Sequence, residues 1–274
     1  MAQPTGAEGE SVRAEWPPDA GRTSTTRVRL LEEDPSLGRW LSPADISEAR
    51  RRAVVPQARL ARGPWRPSHP GVSARDHLGF LVLEGLLARD ERLAGSTATE
   101  LIGPGDILQP WTLEFEPLLV PRTVTWTALQ PSRLAVLGPA FVAAIRPWPH
   151  LRSALLERAM QRCSRISTHH TLSQLSRVDA RLLVLFWYLA ERWGKVTSGG
   201  VQVPLRLSHE ALGHLVGAKR PTVSLALRRL YAEGLVARRP DRTWLLTGSA
   251  EEGLARLGLA ESERFESNSL ALHR

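Results

Sequence analysis

The hydrophobic and polar positions change texture twice along the chain. Residues 1–27 mix Gly, Pro, Ser, Thr and charge with no apolar period, which predicts a disordered tail. Ser42-Pro43 reads as an N-cap with proline at the first helical position and predicts a short helix through Ile46 toward Arg52. Its Arg50–Arg52 run is a solvated helix end. From about Val54 to Leu137 the apolar runs become short and are broken by turn residues. They predict strands at Gln57–Leu60, Phe80–Leu83, Leu86–Ala88, Glu100–Ile102, Thr123–Ala128 and Leu134–Leu137, with turns at Gly85 and Gly103-Pro104-Gly105-Asp106. Strands this short and this closely spaced point to an antiparallel, jelly-roll-like β-roll rather than a parallel sheet.

After Pro149 the period becomes helical. Leu151, Leu155, Ala159, Arg162 and Ile166 fall on one stripe, with Leu156, Met160 and Cys163 beside it. The stripe is narrow and its flanks carry Arg152, Arg158, Arg162 and Arg165, so we read it as a seam for a partner helix; the other reading is the core of its own domain. A second helix follows at Val178–Trp193, with Leu182, Leu185, Phe186 and Leu189 on one side and Gly194 ending it.

The stretch 205–248 carries the chemistry. Ser208 is an N-cap, and Ala211, Leu212 and Leu215 form the inward face of a short helix. Val216-Gly217-Ala218 is a tight turn with glycine where a positive φ is needed. Pro221 opens a second helix, in which Val223, Leu227 and Leu230 bury one face while Arg220, Thr222, Ser224, Arg228 and Arg229 lie opposite. Gly234 stops that helix, Leu235–Ala237 makes a strand, Pro240-Asp241-Arg242 turns, and Trp244–Leu246 returns. This is helix, turn, helix and a two-stranded wing. Such a second helix fits the ~12 Å major groove of duplex DNA, with its first residues at base edges. Arg220 suits guanine O6 and N7; Thr222 and Ser224 suit bases or phosphates; Lys219, Arg228, Arg229 and Arg242 suit phosphates. Between Lys195 and Gly248 nine basic residues stand against three acidic ones, so the positive charge gathers where the motif is.

Leu207–Gly217, Lys219-Arg220-Pro221-Thr222-Val223-Ser224 and Leu227-Arg228-Arg229-Leu230 resemble the Crp/Fnr family of transcription regulators. Leu83-Glu84-Gly85 and Gly103-Pro104-Gly105-Asp106-Ile107-Leu108 resemble turns of that family's cyclic-nucleotide-binding-like β-roll, and Asp34-Pro35 its N-terminal lead-in. The resemblance implies a homodimer along the long helix that reads an inverted repeat in double-stranded DNA, with RNA polymerase as a further partner. The chain also departs from the family. Gln109-Pro110 stands where nucleotide-binding members have Gly-Glu, which removes a backbone donor and a carboxylate, so cyclic AMP is not the expected ligand. Arg122 lies near the position of the family's phosphate-binding arginine but reads as a sheet residue. Pro221 replaces an acidic residue of the recognition helix and Leu225 an arginine, which predicts a different base preference.

The domains read as a tail over 1–27, a β-roll over 28–145, a dimerisation helix over 146–176, a winged helix-turn-helix over 177–250 and a tail over 251–274. The fold class is α+β.

Bulk composition adds limits. The formal charge is +8, and all but two of the 36 basic residues are arginine, the lysines being Lys195 and Lys219. Such arginine richness follows from GC-rich codon usage and is weak evidence for phosphate binding by itself. A single cysteine, Cys163, excludes an internal disulfide and any all-cysteine metal cluster. The histidines His77, His150, His169 and His170 read as solvated or hydrogen-bonded, and no cofactor is identified. His69 and His77 lack a carboxylate at metal-site spacing, and no P-loop, dinucleotide or nucleophile-elbow motif appears, so an enzyme is not expected. No signal peptide is evident, and the longest apolar run, Leu182–Ala190, is half of the ~18 residues a membrane span needs, so a cytoplasmic, membrane-free protein is expected. The competing function is a small-molecule sensor that signals through protein contacts.

Overall fold

The computed structural model describes residues 23–67, 77–110 and 120–259. In chain order these form β1 (Thr23–Arg29), α1 (Leu30–Glu33), a 3-10 turn (Pro35–Gly38), α2 (Pro43–Arg52), β2 (Val54–Leu60), β3 (Gly63–Trp65), β4 (Gly79–Glu84), β5 (Leu87–Leu93), β6 (Ser96–Ile102), β7 (Ile107–Leu108), β8 (Arg122–Ala128) and β9 (Ser132–Leu137). Then follow α3 (Pro139–Ala144), α4 (Pro149–Ser173), α5 (Val178–Trp193), β10 (Lys195–Thr197), β11 (Gly200–Val203), α6 (His209–Val216), α7 (Arg220–Ala232), β12 (Val236–Arg238), β13 (Trp244–Leu246) and α8 (Ala250–Arg256).

The N-terminal strands make two antiparallel sheets, ordered β1-β2-β9-β4-β7 and β3-β8-β5-β6. Alternate residues point inward from each. Leu87, Ile102, Leu108, Ala128 and Leu134 meet between them, and Trp65 packs edge-on against Phe80 and Trp126 with centroids 5.7 Å apart. Ser42 caps α2 by accepting from the Asp45 N–H at 3.1 Å, as its Ser-Pro start predicts.

Several boundaries differ from the sequence reading. Residues 1–22 of the expected tail, Trp111, His69 and residues 260–274 lie outside the described residues. Residues 23–27, however, belong to β1, which pairs with β2 at the edge of its sheet among the described residues. An edge strand rich in threonine needs no apolar alternation, so the pattern did not mark it. At the other end, α8 packs on α5: Gly253 and Leu257 are buried, and the Arg177 guanidinium donates to the Leu257 carbonyl. The winged-helix unit therefore extends past residue 250. Its sheet has four strands, β10-β11-β13-β12, rather than the expected two.

The long helix α4 divides between the two readings offered for it. Leu151, Ala154 and Leu155 are buried in the β-roll core, whereas Leu156, Met160 and Ile166 are 62%, 64% and 47% exposed and Cys163 is exposed. The arginines along it mostly hold its own subunit together. Arg158 reaches Asp34 at 3.1 Å, Arg162 forks onto Glu100 at 2.7 Å through both nitrogens, and Arg165 pairs with Asp106.

Asp106 also accepts from Arg192 of α5 at 2.6 Å and from the Gly103 N–H at 2.9 Å, and it is buried. A Cβ on Gly103 would sit 2.6 Å from the Trp193 ring, so only glycine lets α5 approach this turn so closely. Leu86, Ala88 and Leu101 of the β-roll share a core with the winged-helix unit. Among the described residues no helix is long and apolar enough to cross a membrane.

Candidate nucleic-acid interface

The helix-turn-helix is fixed by local signals. Ser208 Oγ accepts from the Ala211 N–H at 3.1 Å and so caps α6. Gly217 has φ 64° and ψ 42°, a left-handed conformation that ends α6 at little cost only for glycine. Proline in the first turn of α7 forfeits no helical hydrogen bond there. Leu212, Leu215 and Val216 of α6 then pack with Val223, Ala226, Leu227 and Leu230 of α7, all buried. Replacing Leu227 with Ala is expected to cost about 2–5 kcal/mol, read by urea unfolding, since a fully buried leucine leaves a cavity.

The outward face of α7 is open. Lys219, Arg220, Pro221, Thr222, Leu225, Arg228 and Arg229 are all exposed. Ser224 is not free in the same way. Its hydroxyl donates to the Arg220 carbonyl at 3.1 Å and lies 2.9 Å from His209 Nδ1. Burial, then Arg238 and Arg220, hold the His209 imidazole below its usual pKa, so it is neutral at pH 7. His209 Nδ1 and Ser224 Oγ share a hydrogen bond that joins the two helices, with its direction set by the imidazole tautomer. The Ser208 hydroxyl thus caps α6, while the Ser224 hydroxyl ties the start of α7 to His209 at the start of α6.

Arg229 also faces inward in part, with its Nη1 3.7 Å from Asp179 Oδ2 at the start of α5. Burial pushes the Asp179 carboxyl up, but the Arg177 fork, the Ala180 N–H and the charges of Arg177 and Arg229 outweigh it and leave the pKa below the usual carboxylate value. A depressed folded pKa gives stability that is present above the unfolded value and lost as pH falls through the folded one. The stability gap between wild type and Asp179→Asn is therefore expected to be full near pH 7 and to shrink below about pH 4, measured by urea unfolding at both.

The wing is β12–β13. Asp241 Oδ1 accepts from Thr243 N–H at 3.0 Å and Thr243 Oγ1 at 2.6 Å, which holds the turn while Arg242 adopts φ 67° and stays exposed. Arg238 lies over the buried Trp244 ring at 5.5 Å, and Trp244 packs on Phe186 at 4.9 Å. Sequence reasoning missed His209 and Arg238 as parts of this surface, and it noted Leu225 only as a departure. A leucine opposite the buried stripe of α7 was visible in the periodicity; the approach of His209 to Ser224 was not.

Two cavities flank α4. One, of about 810 Å³, is lined by Leu78, Ile107, Gln109, Leu156, Ala159 and Cys163 among others. Gln109 donates from Nε2 to the His77 and Leu78 carbonyls, both at 3.2 Å, and Arg122 pairs with Glu91 at 3.4 Å. The other, of about 690 Å³, lies between the β5–β6 hairpin, α4 and the winged-helix unit.

Residues 176–257 match the model of the Crp-like helix-turn-helix domain, which spans α5 to α8. The C-terminal unit is thus a Crp-like helix-turn-helix domain. The solved structures it resembles include a CRP family transcriptional regulator of Thermus thermophilus, 25% identical, with a TM-score of 0.53 over 75% of this chain and 99% of that one. A CRP/FNR family regulator of the same organism is 23% identical over 76% of this chain and 100% of that one, TM-score 0.53. A CooA mutant from Carboxydothermus hydrogenoformans is 17% identical and shares the fold over 86% of this chain and 97% of that one, TM-score 0.59. No curated protein sequence matches the chain. The α+β order of β-roll, long helix and helix-turn-helix is that of these structural neighbours.

Proposed function

We propose that the protein is a DNA-binding transcription regulator that acts as a homodimer joined along α4 and reads an inverted repeat with α7 of each protomer in a major groove. The observation that carries this is the open basic face of α7, with Arg220 at its entry and no acidic residue on it. The exposed row Leu156, Met160, Cys163 and Ile166 supplies an apolar seam for a second copy. Two such helices would meet half-sites about one helical turn, ~34 Å, apart. Arg220 contacts guanine, Thr222 an adjacent base or phosphate, and Lys219, Arg228 and Arg242 phosphates, while Ser208 and Ser224 hold the helices that present them. Arg229 divides between Asp179 and the DNA backbone. The bound dimer recruits or occludes RNA polymerase.

Cyclic AMP is not the effector in this reading. Pro110 stands where a carboxylate would be needed, the Gln109 amide at the glycine position is already bonded to two carbonyls, and Arg122 is held by Glu91. A ligand of another kind would work by changing how the two winged helices are oriented.

Selection of genomic DNA on the purified protein tests the reading: an enriched inverted repeat is expected, and recovery of none contradicts it. On that repeat, Arg220→Ala is expected to cost about 1–3 kcal/mol and relax choice at one base pair, measured against all four base-pair variants. Arg228→Ala is instead expected to lower the slope of log affinity against log salt by about 0.9 per contact with sequence preference unchanged.

A further inference from the structure

Leu225 is 49% exposed in the middle of α7. At about 100° per residue, the buried Val223, Ala226, Leu227 and Leu230 centre on one side of this helix. The line directly opposite runs through Pro221, Leu225, Arg228 and Ala232. Arg220 falls on one flank of that line, and Thr222 and Arg229 fall on the other. The centre of the outward face thus opens on two apolar residues, Pro221 and Leu225, followed by Arg228 and flanked by cations, and neither of the two offers a side-chain hydrogen bond to anything.

Leu156, Met160 and Ile166, also exposed, lie together on the open row of α4. Leu225 packs on no core, and its helix is already held by four buried residues on the other face. In a major groove, the thymine C5-methyl is the one methyl group a base pair presents; apart from bare C–H positions, the other edge groups are hydrogen-bond donors or acceptors. A leucine pressed onto those polar edges would leave them without water or partner, at a cost that an arginine or glutamate there avoids.

We propose that Leu225, with Pro221 one turn before it, reads thymine methyl groups at the centre of each half-site. This rests on the reading that α7 enters the major groove, and adds what it selects there. Pro221 and Leu225 are about 6 Å apart along the helix axis, so their targets lie within about two base-pair steps of each other. Arg220, on the flank, places a guanine beside them.

Deoxyuridine differs from thymidine only by that methyl, which makes the test direct. Each thymine of the selected repeat is replaced singly, symmetrically in both half-sites, and affinity is measured by fluorescence anisotropy. For one methyl per half-site, wild type is expected to lose about fourfold per half-site at one or two positions and nothing elsewhere. Leu225→Ala, a surface change, is expected to bind the unmodified repeat more weakly and to show no further loss with deoxyuridine at the position Leu225 reads. In a repeat that carries a C·G pair at that position, 5-methylcytosine in place of cytosine is expected to restore part of the wild-type affinity. Equal tolerance of deoxyuridine everywhere, or a loss that persists undiminished in Leu225→Ala, overturns the proposal while leaving DNA binding by α7 intact. Failure of wild type to prefer any duplex removes the groove reading and this proposal with it.

Discussion

Asp106→Ala is expected to destabilise the protein by about 3–5 kcal/mol, the range for removing one partner of a buried ion pair. Asp106 is 2% exposed and accepts from three donors that belong to three parts of the chain: its own turn through Gly103, α4 through Arg165 and α5 through Arg192. Without the carboxylate, two guanidinium groups would face each other with side chains only 24% and 15% exposed. The loss is both mutual repulsion and uncompensated desolvation. Asp106→Asn keeps an acceptor for the Gly103 N–H but no charge, so its loss is expected to be smaller. Urea unfolding followed by tryptophan fluorescence reads both, and a cost below about 1 kcal/mol for alanine would place the triad among weak surface pairs. Because α5 opens the winged-helix unit, the same change is expected to raise protease cutting between α4 and α5.

The second large effect concerns the seam. Glutamate at both Leu156 and Met160 places two carboxylates per protomer on the open row of α4, where a second copy would bury them unpaired. Sedimentation is expected to show a monomer, and affinity for the full inverted repeat to fall by about 10²–10⁴, the gain two linked half-sites give over one. Folding is expected to persist, since both positions are more than half exposed. A variant that keeps the mass and affinity of wild type would contradict the α4 seam as the dimer surface.

The winged helix was legible because its signals are local. Ser208 caps, Gly217 turns, Pro221 starts and Gly234 stops within a few residues of what they control. The β-roll was legible as a class but not as a topology. Strand β7 has two residues, and β1 has polar residues that need only an edge to pair with, so neither carries an alternating pattern. Periodicity placed apolar residues along α4 without saying which of two neighbouring rows belonged to the protein's own core. Leu151 and Leu155 turned inward, and Leu156 and Met160 did not. Asp106 read only as a turn residue, because Arg165 and Arg192 are 59 and 86 positions away and nothing local announces their meeting. Ser224 illustrates the same limit within the motif: helical spacing puts it near the outward face, but His209, fifteen residues earlier, takes up its hydroxyl.

The central claim is that two copies of α7, fixed to one dimer, read one duplex together. The measurement that tests it most directly is the affinity of the selected inverted repeat compared with the same repeat carrying about five extra base pairs between its halves. Half a helical turn puts the second half-site on the opposite side of the DNA. We predict a drop of about 10²-fold or more, to the level of a single half-site. Equal affinity for the two spacings would contradict the account.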